Sequence, residues 1–265
     1  MLPWLTRRLA QSLLLIFILV SAVFFVVRLA PGDPLDQVVE EELGAGDREL
    51  IRQRLGLDGS LTQQYGRWLG ALLHGDLGTS LRQQRPVTEI VGDAMGPTLL
   101  LNFTAYGLQL LLVVVSALVM ATRRGQPLDH AVQGFGVTFY SLPLFWLGLM
   151  FVLLFSRHLG WFPAGGWESP DAAFFSPGEL WLDRLHHLFL PAVTLALGAF
   201  MGPARYLRAA LDDALAQDYI LAARARGLSE RRVLLRHALR NALLPLITLM
   251  GMWLPSLLGG SLVIE

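Results

Sequence analysis

The sequence has 265 residues with 21 basic and 21 acidic side chains, and 54% of its residues are hydrophobic. Ordinary soluble domains are about 45–50% apolar, so this composition indicates a membrane protein. The chain contains no cysteine, which excludes a disulfide framework and thiol chemistry. It also contains no lysine, which a Walker A loop needs to reach nucleotide phosphates, and this excludes a standard ATP site.

Five apolar runs are long enough to cross the hydrocarbon core of a bilayer, which takes about 20 residues. They predict an all-α, polytopic membrane protein. The predicted spans cover residues 9–29, 99–121, 131–155, 188–207 and 242–263. The apolar stretch Leu9–Val27 of the first span is followed by Arg28-Leu29-Ala30-Pro31 rather than by a small-residue cleavage site, so we expect a retained span and not a signal peptide.

A polar segment, residues 31–96, separates the first span from the second. We expect helices over residues 43–55 and 65–74, followed by a turn over residues 75–80. The segment is predicted to form a small extracytoplasmic cap that also serves as a docking surface. The chain thereby divides into an N-terminal part, residues 1–97, and a core of four further spans, residues 98–265.

A charged loop, residues 208–241, lies between the fourth and fifth spans and carries eleven charged side chains from Arg208 to Arg240. Each charge near the middle of a membrane costs about 2.5–3.5 kcal/mol on insertion scales. This loop therefore cannot be another span.

Within that loop the sequence predicts a helix, a sharp turn and a second helix. Gly227 suits the left-handed position after a helix end, and Ser229 suits the N-cap of the next helix. Four residues share one face of the first helix: Tyr219, Ala222, Ala223 and Arg226. The two alanines predict a flat patch that another protein can approach closely. The alternative is an amphipathic hairpin on the membrane surface, with its arginines against lipid phosphates.

The positions of the arginines predict the orientation. A cytoplasmic N terminus places twelve arginines in the inner segments: Arg7, Arg8, Arg123, Arg124, Arg205, Arg208, Arg224, Arg226, Arg231, Arg232, Arg236 and Arg240. The short outer loop, residues 156–187, holds two arginines against four carboxylates. This inside-positive pattern puts the hairpin in the cytoplasm.

The stretch Ala222-Ala223-Arg224-Ala225-Arg226-Gly227, followed later by Leu244-Pro245, resembles the EAA loop of ABC importer membrane subunits. Other blocks resemble the dipeptide, oligopeptide and nickel permeases of that family, in the same order along the chain. These blocks are residues 28–34, 55–58, 64–65, 75–80, 85–87, 97–99, 159–163 and 190–192. A single block is weak, whereas the ordered series covers nearly the whole chain and is highly specific.

The resemblance implies that the hairpin is a coupling helix seated in a groove of a cytoplasmic ATPase subunit. The coupling residues it implies are Tyr219, Ala222, Ala223, Arg226, Gly227 and Leu228. Two features depart from the family pattern. Leu221 stands where the EAA loop has its leading glutamate, and five spans are present where the family has six.

The resemblance further implies a subunit of an ATP-driven, binding-protein-dependent importer of di- and oligopeptides in a bacterial cytoplasmic membrane. A nickel or metal-chelate importer is the alternative substrate class. The implied partners are a homologous sister permease, two cytoplasmic ATPase subunits that bind ATP and magnesium, an extracytoplasmic substrate-binding protein and the lipid bilayer. No cofactor in this chain and no nucleic acid are implied.

Polar side chains within spans are the candidates for the translocation path, because such groups tend to face a bundle interior or cavity. They are Asn102, Gln109, Ser116, Tyr140 and Ser141. Uncharged polar groups also serve as contacts between helices, which is the competing interpretation. No catalytic or metal-ligating set is predicted, and the adjacent His186 and His187 are expected to be a surface pair.

A secondary transporter or an intramembrane enzyme is the alternative from a different class. A secondary transporter should carry ionisable groups inside its spans, whereas these five runs have none between their ends.

Overall fold

A computed structural model of the chain describes residues 2–30, 58–80, 83–253 and 255. The predicted helix over residues 43–55, the family blocks between residues 31 and 57, and the predicted fifth span from residue 256 onward lie outside these ranges. The described residues fall into two compact units, one within Met1–Gly92 and one within Asp93–Glu265. The division predicted from the sequence, between residues 97 and 98, is a few residues further along the chain.

The described part of the chain is helical and has no strand, only an isolated bridge between Thr79 and Pro86. Among the residues that the structure describes, three helices are long and apolar enough to cross a membrane: Pro3–Leu29, Val87–Thr122 and Glu230–Trp253. Two bent helix pairs also qualify when each pair is counted as one span, which gives up to five spans. The predicted all-α polytopic fold is confirmed. Only 6% of the first-span window is buried within the chain, so its apolar surface is available to lipid.

The first unit contains helices α1 (Leu2–Leu29) and α2 (Leu61–Leu73). Helix α2 begins four residues before the predicted start at residue 65. The reason is a capping box, in which Ser60 Oγ accepts a hydrogen bond from the Gln63 backbone and the Gln63 side chain accepts one from the Ser60 backbone.

Aromatic side chains hold α2 against the second half of α1. The Phe24 side chain is buried, and its ring centroid lies 5.3 Å from that of Tyr65 and 4.9 Å from that of Trp68. The Tyr65 hydroxyl also hydrogen bonds to Ser21 Oγ at 2.6 Å. The apolar side predicted for α2 therefore packs on the first span.

The remaining helices follow in chain order. They are α3 (Val87–Thr122), α4 (Pro127–Ser141), α5 (Leu144–His158), α6 (Pro177–Ala199), α7 (Met201–Leu215), α8 (Asp218–Ala225) and α9 (Glu230–Trp253). Part of α5, Val152–His158, and part of α9, Val233–Ala238, have π-helical hydrogen bonding. The predicted second span lies inside α3.

The predicted third span, residues 131–155, is not one straight helix. It is the pair α4 and α5, with a bend of 103° between them. Leu142 has an extended backbone (φ −82°, ψ 139°) and is followed by Pro143, which precedes α5. A proline disfavours the helical conformation of the residue before it and has no N–H to donate, so the helix ends there.

The predicted fourth span, residues 188–207, is also corrected. Helix α6 begins at Pro177, eleven residues earlier, behind a capping box between Ser176 and Glu179. It meets α7 at Phe200 with a bend of 50°. Pro203 cannot donate to the carbonyl of Ala199, four residues before it.

The Ala199 carbonyl left free by Pro203 is satisfied by a neighbouring helix. Gln109 of α3 donates a hydrogen bond from Nε2 to this oxygen at 3.3 Å. In lipid each unsatisfied backbone group is costly, and side chains of adjacent helices commonly supply the missing partner at a proline bend. The bend between α6 and α7 is therefore fastened to α3.

One apolar core joins α3, α7, α8 and α9. Its fully buried members include Val113, Ala117 and Met120 of α3, with Phe200, Leu207 and Leu211 at and along α7. Helices α4 and α7 approach closely at Gly136, where an added Cβ would lie 2.3 Å from Met201 Sδ and 3.1 Å from Phe200 Cζ. The equivalent position at Gly134 has open space.

We predict that Gly136→Val lowers the thermal stability of the purified protein, because the new side chain forces two fully buried residues out of place. Overpacking of this kind costs about 1–3 kcal/mol. Gly134→Val on the same helix is the matched control and should leave the unfolding temperature unchanged. Unfolding can be followed in detergent by the fluorescence of the seven tryptophans. Equal unfolding temperatures for the two variants would contradict the close packing of α4 on α7.

Candidate functional site

The candidate site is the elbow, which we define as α8, the turn Arg226–Ser229 and the first residues of α9. Helix α8 ends with two hydrogen bonds, from Gly227 N to Arg224 O at 2.9 Å and from Leu228 N to Ala223 O at 3.4 Å. This is the Schellman arrangement, and Gly227 takes the left-handed backbone (φ 76°) that it requires. The predicted role of Gly227 as the turn residue is confirmed.

The second helix of the elbow begins after Ser229, which has the extended backbone of an N-cap residue (φ −63°, ψ 146°). Its backbone carbonyl accepts hydrogen bonds from Arg232 N and Val233 N. The Ser229 side chain makes no capping hydrogen bond, so only the backbone part of the predicted cap is present.

An ion pair closes the elbow. Arg224 near the end of α8 donates to both carboxylate oxygens of Glu230 at the start of α9, from Nε at 2.8 Å and from Nη2 at 3.0 Å. The hydrogen bonds with Glu230 raise the pKa of the Arg224 guanidinium, because they stabilise its charged form. Both side chains are well exposed, and the pair therefore fixes the angle of the turn more than it adds stability.

The elbow has a buried face and an exposed face. Ile220, Ala223 and Val233 are between 0% and 1% exposed and belong to the apolar core shared with α3 and α7. Tyr219, Ala222 and Arg226 are exposed, and Leu228 is half-buried. One side of α8 is therefore anchored in the bundle, while the other is open to a partner.

The buried position of Ala223 corrects the predicted surface patch. The helical spacing predicts Ala222 and Ala223 together on the partner face, but only Ala222 is exposed there. Ala223 comes three residues after the buried Ile220 and shares its inward face, whereas Ala222 lies about 100° around the helix from Ala223 and is exposed. The exposed surface includes Ala222 between Tyr219 and Arg226, and its coupling role stays a prediction.

The five predicted path residues are not gathered around one channel. Gln109 and Tyr140 come near the α6–α7 bend, Gln109 through the Ala199 carbonyl and Tyr140 beside Gly202. Ser116 is buried, Asn102 is half-buried and Ser141 is exposed. Gln109 has the position of a contact between helices, and no path role follows from these placements.

A cavity of about 430 Å³ lies elsewhere in the second unit, between α3, α5, α6 and the loop before α6. Its walls are mostly apolar, and its lining includes Leu101, Leu149, Trp167, His187 and Pro191. None of the five predicted path residues lines it. His187 is 9% exposed and contacts the Asp183 carbonyl at 3.0 Å, so the expectation of a surface histidine pair is wrong for this residue.

Comparison with known proteins places the chain among transport components. Residues 113–265 match the family described as binding-protein-dependent transport system inner membrane component, and residues 1–102 match the N-terminal domain of such components. The chain is 37% identical to the oligopeptide transport system permease protein AppB of Bacillus subtilis, over 100% of this chain and 83% of the relative.

Two relatives from Escherichia coli strain K12 are also similar. The glutathione transport system permease protein GsiC is 35% identical over 100% of this chain and 82% of its own length. The probable D,D-dipeptide transport system permease protein DdpB is 40% identical over 91% of this chain and 75% of its own length.

The two alanines of the elbow should respond differently to a charge. Ala223→Glu places a carboxylate in an apolar core, at a cost of several kcal/mol, and should sharply lower the yield of folded protein. Ala222→Glu points into solvent and should fold normally. The folding of both variants can be measured by their size-exclusion profiles and unfolding temperatures in detergent. A well-folded Ala223→Glu protein would show that α8 does not pack as described.

Proposed function

The chain belongs to the family of inner-membrane components of binding-protein-dependent transport systems, and we propose that it is the membrane-spanning subunit of an ATP-driven importer of di- and oligopeptides. The observation that carries this proposal is the elbow, whose motif residues present Ala222 outward while Ile220 and Ala223 are fixed in the core. The names of the relatives favour peptides over nickel or a metal chelate as the cargo.

In this proposal, ATP and magnesium bind to separate ATPase subunits, and this chain has no cofactor of its own. The exposed face of α8 docks into a groove of one ATPase subunit. Tyr219 and Arg226 flank the small Ala222 side chain, so the partner surface can approach the α8 backbone closely. When the ATPase pair closes on ATP, it displaces the elbow.

The buried face of the elbow converts that displacement into movement of the spans. Ile220, Ala223 and Val233 share a core with α3 and α7, so the elbow cannot move without them. Burying one isoleucine side chain is worth about 1.5–3 kcal/mol, which makes detachment of α8 costly. Rigid connection of this kind lets a push on α8 rock the bundle between inward-facing and outward-facing states.

The remaining parts of the assembly follow from the same proposal. A sister permease packs against the apolar surfaces that this chain leaves exposed, and the two subunits together form the translocation path. An extracytoplasmic binding protein delivers the peptide to it. The N terminus and the elbow lie in the cytoplasm, as the arginine distribution predicts. Tyr140 and Ser141, both exposed, are the path candidates that a sister subunit could reach.

The test uses the complete transporter in proteoliposomes, with binding protein and ATPase subunits present. Ala222→Glu adds bulk and charge to the docking face, and we expect peptide uptake to fall about tenfold or more, which corresponds to a loss of about 1.4 kcal/mol of docking free energy. ATP hydrolysis stimulated by the loaded binding protein should fall with it.

Leu221→Glu is the matched control, because it places the same side chain one residue away and restores the residue that the family's EAA loop carries there. Leu221 is 59% exposed, so the change is tolerated by the fold. Uptake by this variant should stay near that of the unaltered protein. If Ala222→Glu transports as well as Leu221→Glu, the elbow is not the coupling surface.

A further inference from the structure

An ion pair with a buried carboxylate joins the start of α4 to α7, the helix that leads into the elbow. Asp129, at the start of α4, is 1% exposed. Arg208 of α7 donates to both of its oxygens, from Nη1 to Oδ1 at 2.9 Å and from Nη2 to Oδ2 at 3.0 Å. The two residues are 79 positions apart in the sequence. A two-point contact of this kind fixes orientation as well as distance.

Two further hydrogen bonds hold the Asp129 carboxylate in place. Gly125 N donates to Oδ2 at 2.9 Å, and Gln133 Nε2 donates to Oδ1 at 2.8 Å. Each carboxylate oxygen thus accepts two hydrogen bonds, one of them from Arg208. A buried carboxylate is costly unless it is paired and fully hydrogen bonded, and here both conditions are met.

A second ion pair lies beside the first, with its charges reversed. Arg124 Nη1 is 3.5 Å from Asp212 Oδ2, and Asp212 is one helical turn after Arg208 on α7. Arg124 is 72% exposed, so this pair adds little stability. The pair does help to fix the position of α7 along its axis relative to Arg124 and α4. If α7 shifted by one turn, Arg124 would face Arg208 instead of Asp212, and both ion pairs would be lost.

The position of these residues connects the elbow to a bent span. Helix α7 leads through Ala216 and Gln217 into α8, so it forms the stem of the elbow. Helix α4 is the first half of the pair that bends by 103° at Leu142 and Pro143. Asp129 and Arg208 are the point at which this stem holds the start of α4.

We propose that the Asp129–Arg208 ion pair is a coupling clamp, a pair of positioning residues that makes α4 follow the movement of the elbow. The inference rests on the proposed function, since it assumes that an ATPase moves α8. Apolar contacts at Gly136 hold α4 to α7 further along the helix. Such contacts are not directional, so they do not by themselves prevent the two helices from sliding past each other. The clamp fixes the register of the two helices at the end nearer the elbow.

The clamp predicts a specific defect when it is weakened. Asp129→Asn keeps the shape of the side chain, and its one amide oxygen can still accept hydrogen bonds from Arg208 Nη2 and Gly125 N, but its NH2 group then faces Arg208 Nη1, so both the charge and the two-point contact are lost. The assembled transporter should still hydrolyse ATP in response to loaded binding protein. Peptide transported per ATP hydrolysed should fall about fivefold or more, at the lower end of typical coupling energies.

Arg208→Lys is the second variant, because it keeps the charge but cannot make the two-point contact, and it decides the question if Asp129→Asn does not fold. Glu168→Gln is the control, since it neutralises the carboxylate of another ion pair, with Arg184, away from the elbow. That control should leave the ratio of peptide to ATP unchanged.

The outcomes separate the clamp from the proposed function. If the unaltered complex shows no ATP-driven peptide uptake, the proposed function fails before the clamp is tested. If the unaltered complex transports and the clamp variants keep its ratio of peptide to ATP, the clamp is overturned. A proportional fall of uptake and hydrolysis also overturns it, because that is the signature of a merely structural role. A fall in the ratio alone supports it.

Discussion

The apolar contact between α8 and the bundle is the interaction on which the rest of the structure depends. Ile220 and Ala223 are buried among side chains of α3, α7 and α9, so the elbow is part of the main core. Without that anchorage the segment would be a charged surface loop, and a force applied to it would be lost in local bending. With it, α8 is a rigid projection of the membrane-embedded helices, and its outer face alone is left for a partner.

The bends between helices are the second constraint, because in a membrane every backbone group at a bend needs a hydrogen-bond partner within the protein. Pro143 ends α4, and Pro203 removes the hydrogen bond that Ala199 would otherwise accept. A membrane offers no water to such groups, which is why the Gln109 side chain supplies the missing partner. Helices that are bent and fastened in this way can change angle at defined places while their backbones stay satisfied.

Much of this architecture could be predicted from the sequence, because hydropathy and local capping are short-range properties. The apolar runs located the spans, and Gly227 marked the turn of the elbow. The bends at Pro143 and Phe200 could not be predicted with their angles, since prolines within α3, α6 and α9 leave those helices unbroken at Pro97, Pro191 and Pro245. The local sequence does not show at which proline the neighbouring helices allow the chain to bend.

Two features of the site were beyond the reach of sequence patterns. Periodicity grouped Ala222 with Ala223, but only packing against Val233 and α7 decides which alanine faces inward. The Asp129–Arg208 pair joins distant positions, and each residue alone is an ordinary charge at a membrane boundary. The one signal in the sequence is the position of Asp129, two residues after Pro127 at the start of an apolar helix. A carboxylate buried at such a position requires a cation from elsewhere in the fold.

Rigid attachment of the elbow to the bundle can be measured directly. The chain has no cysteine, so spin labels on cysteines introduced at Thr122 and at the exposed Leu221 report one distance between the end of α3 and the elbow. If the elbow is rigidly attached, the distance distribution is narrow and is the same in the assembled transporter without nucleotide and with ATP and magnesium bound. A distribution that shifts or broadens when ATP binds would show that the elbow moves relative to its own bundle, which would contradict rigid attachment.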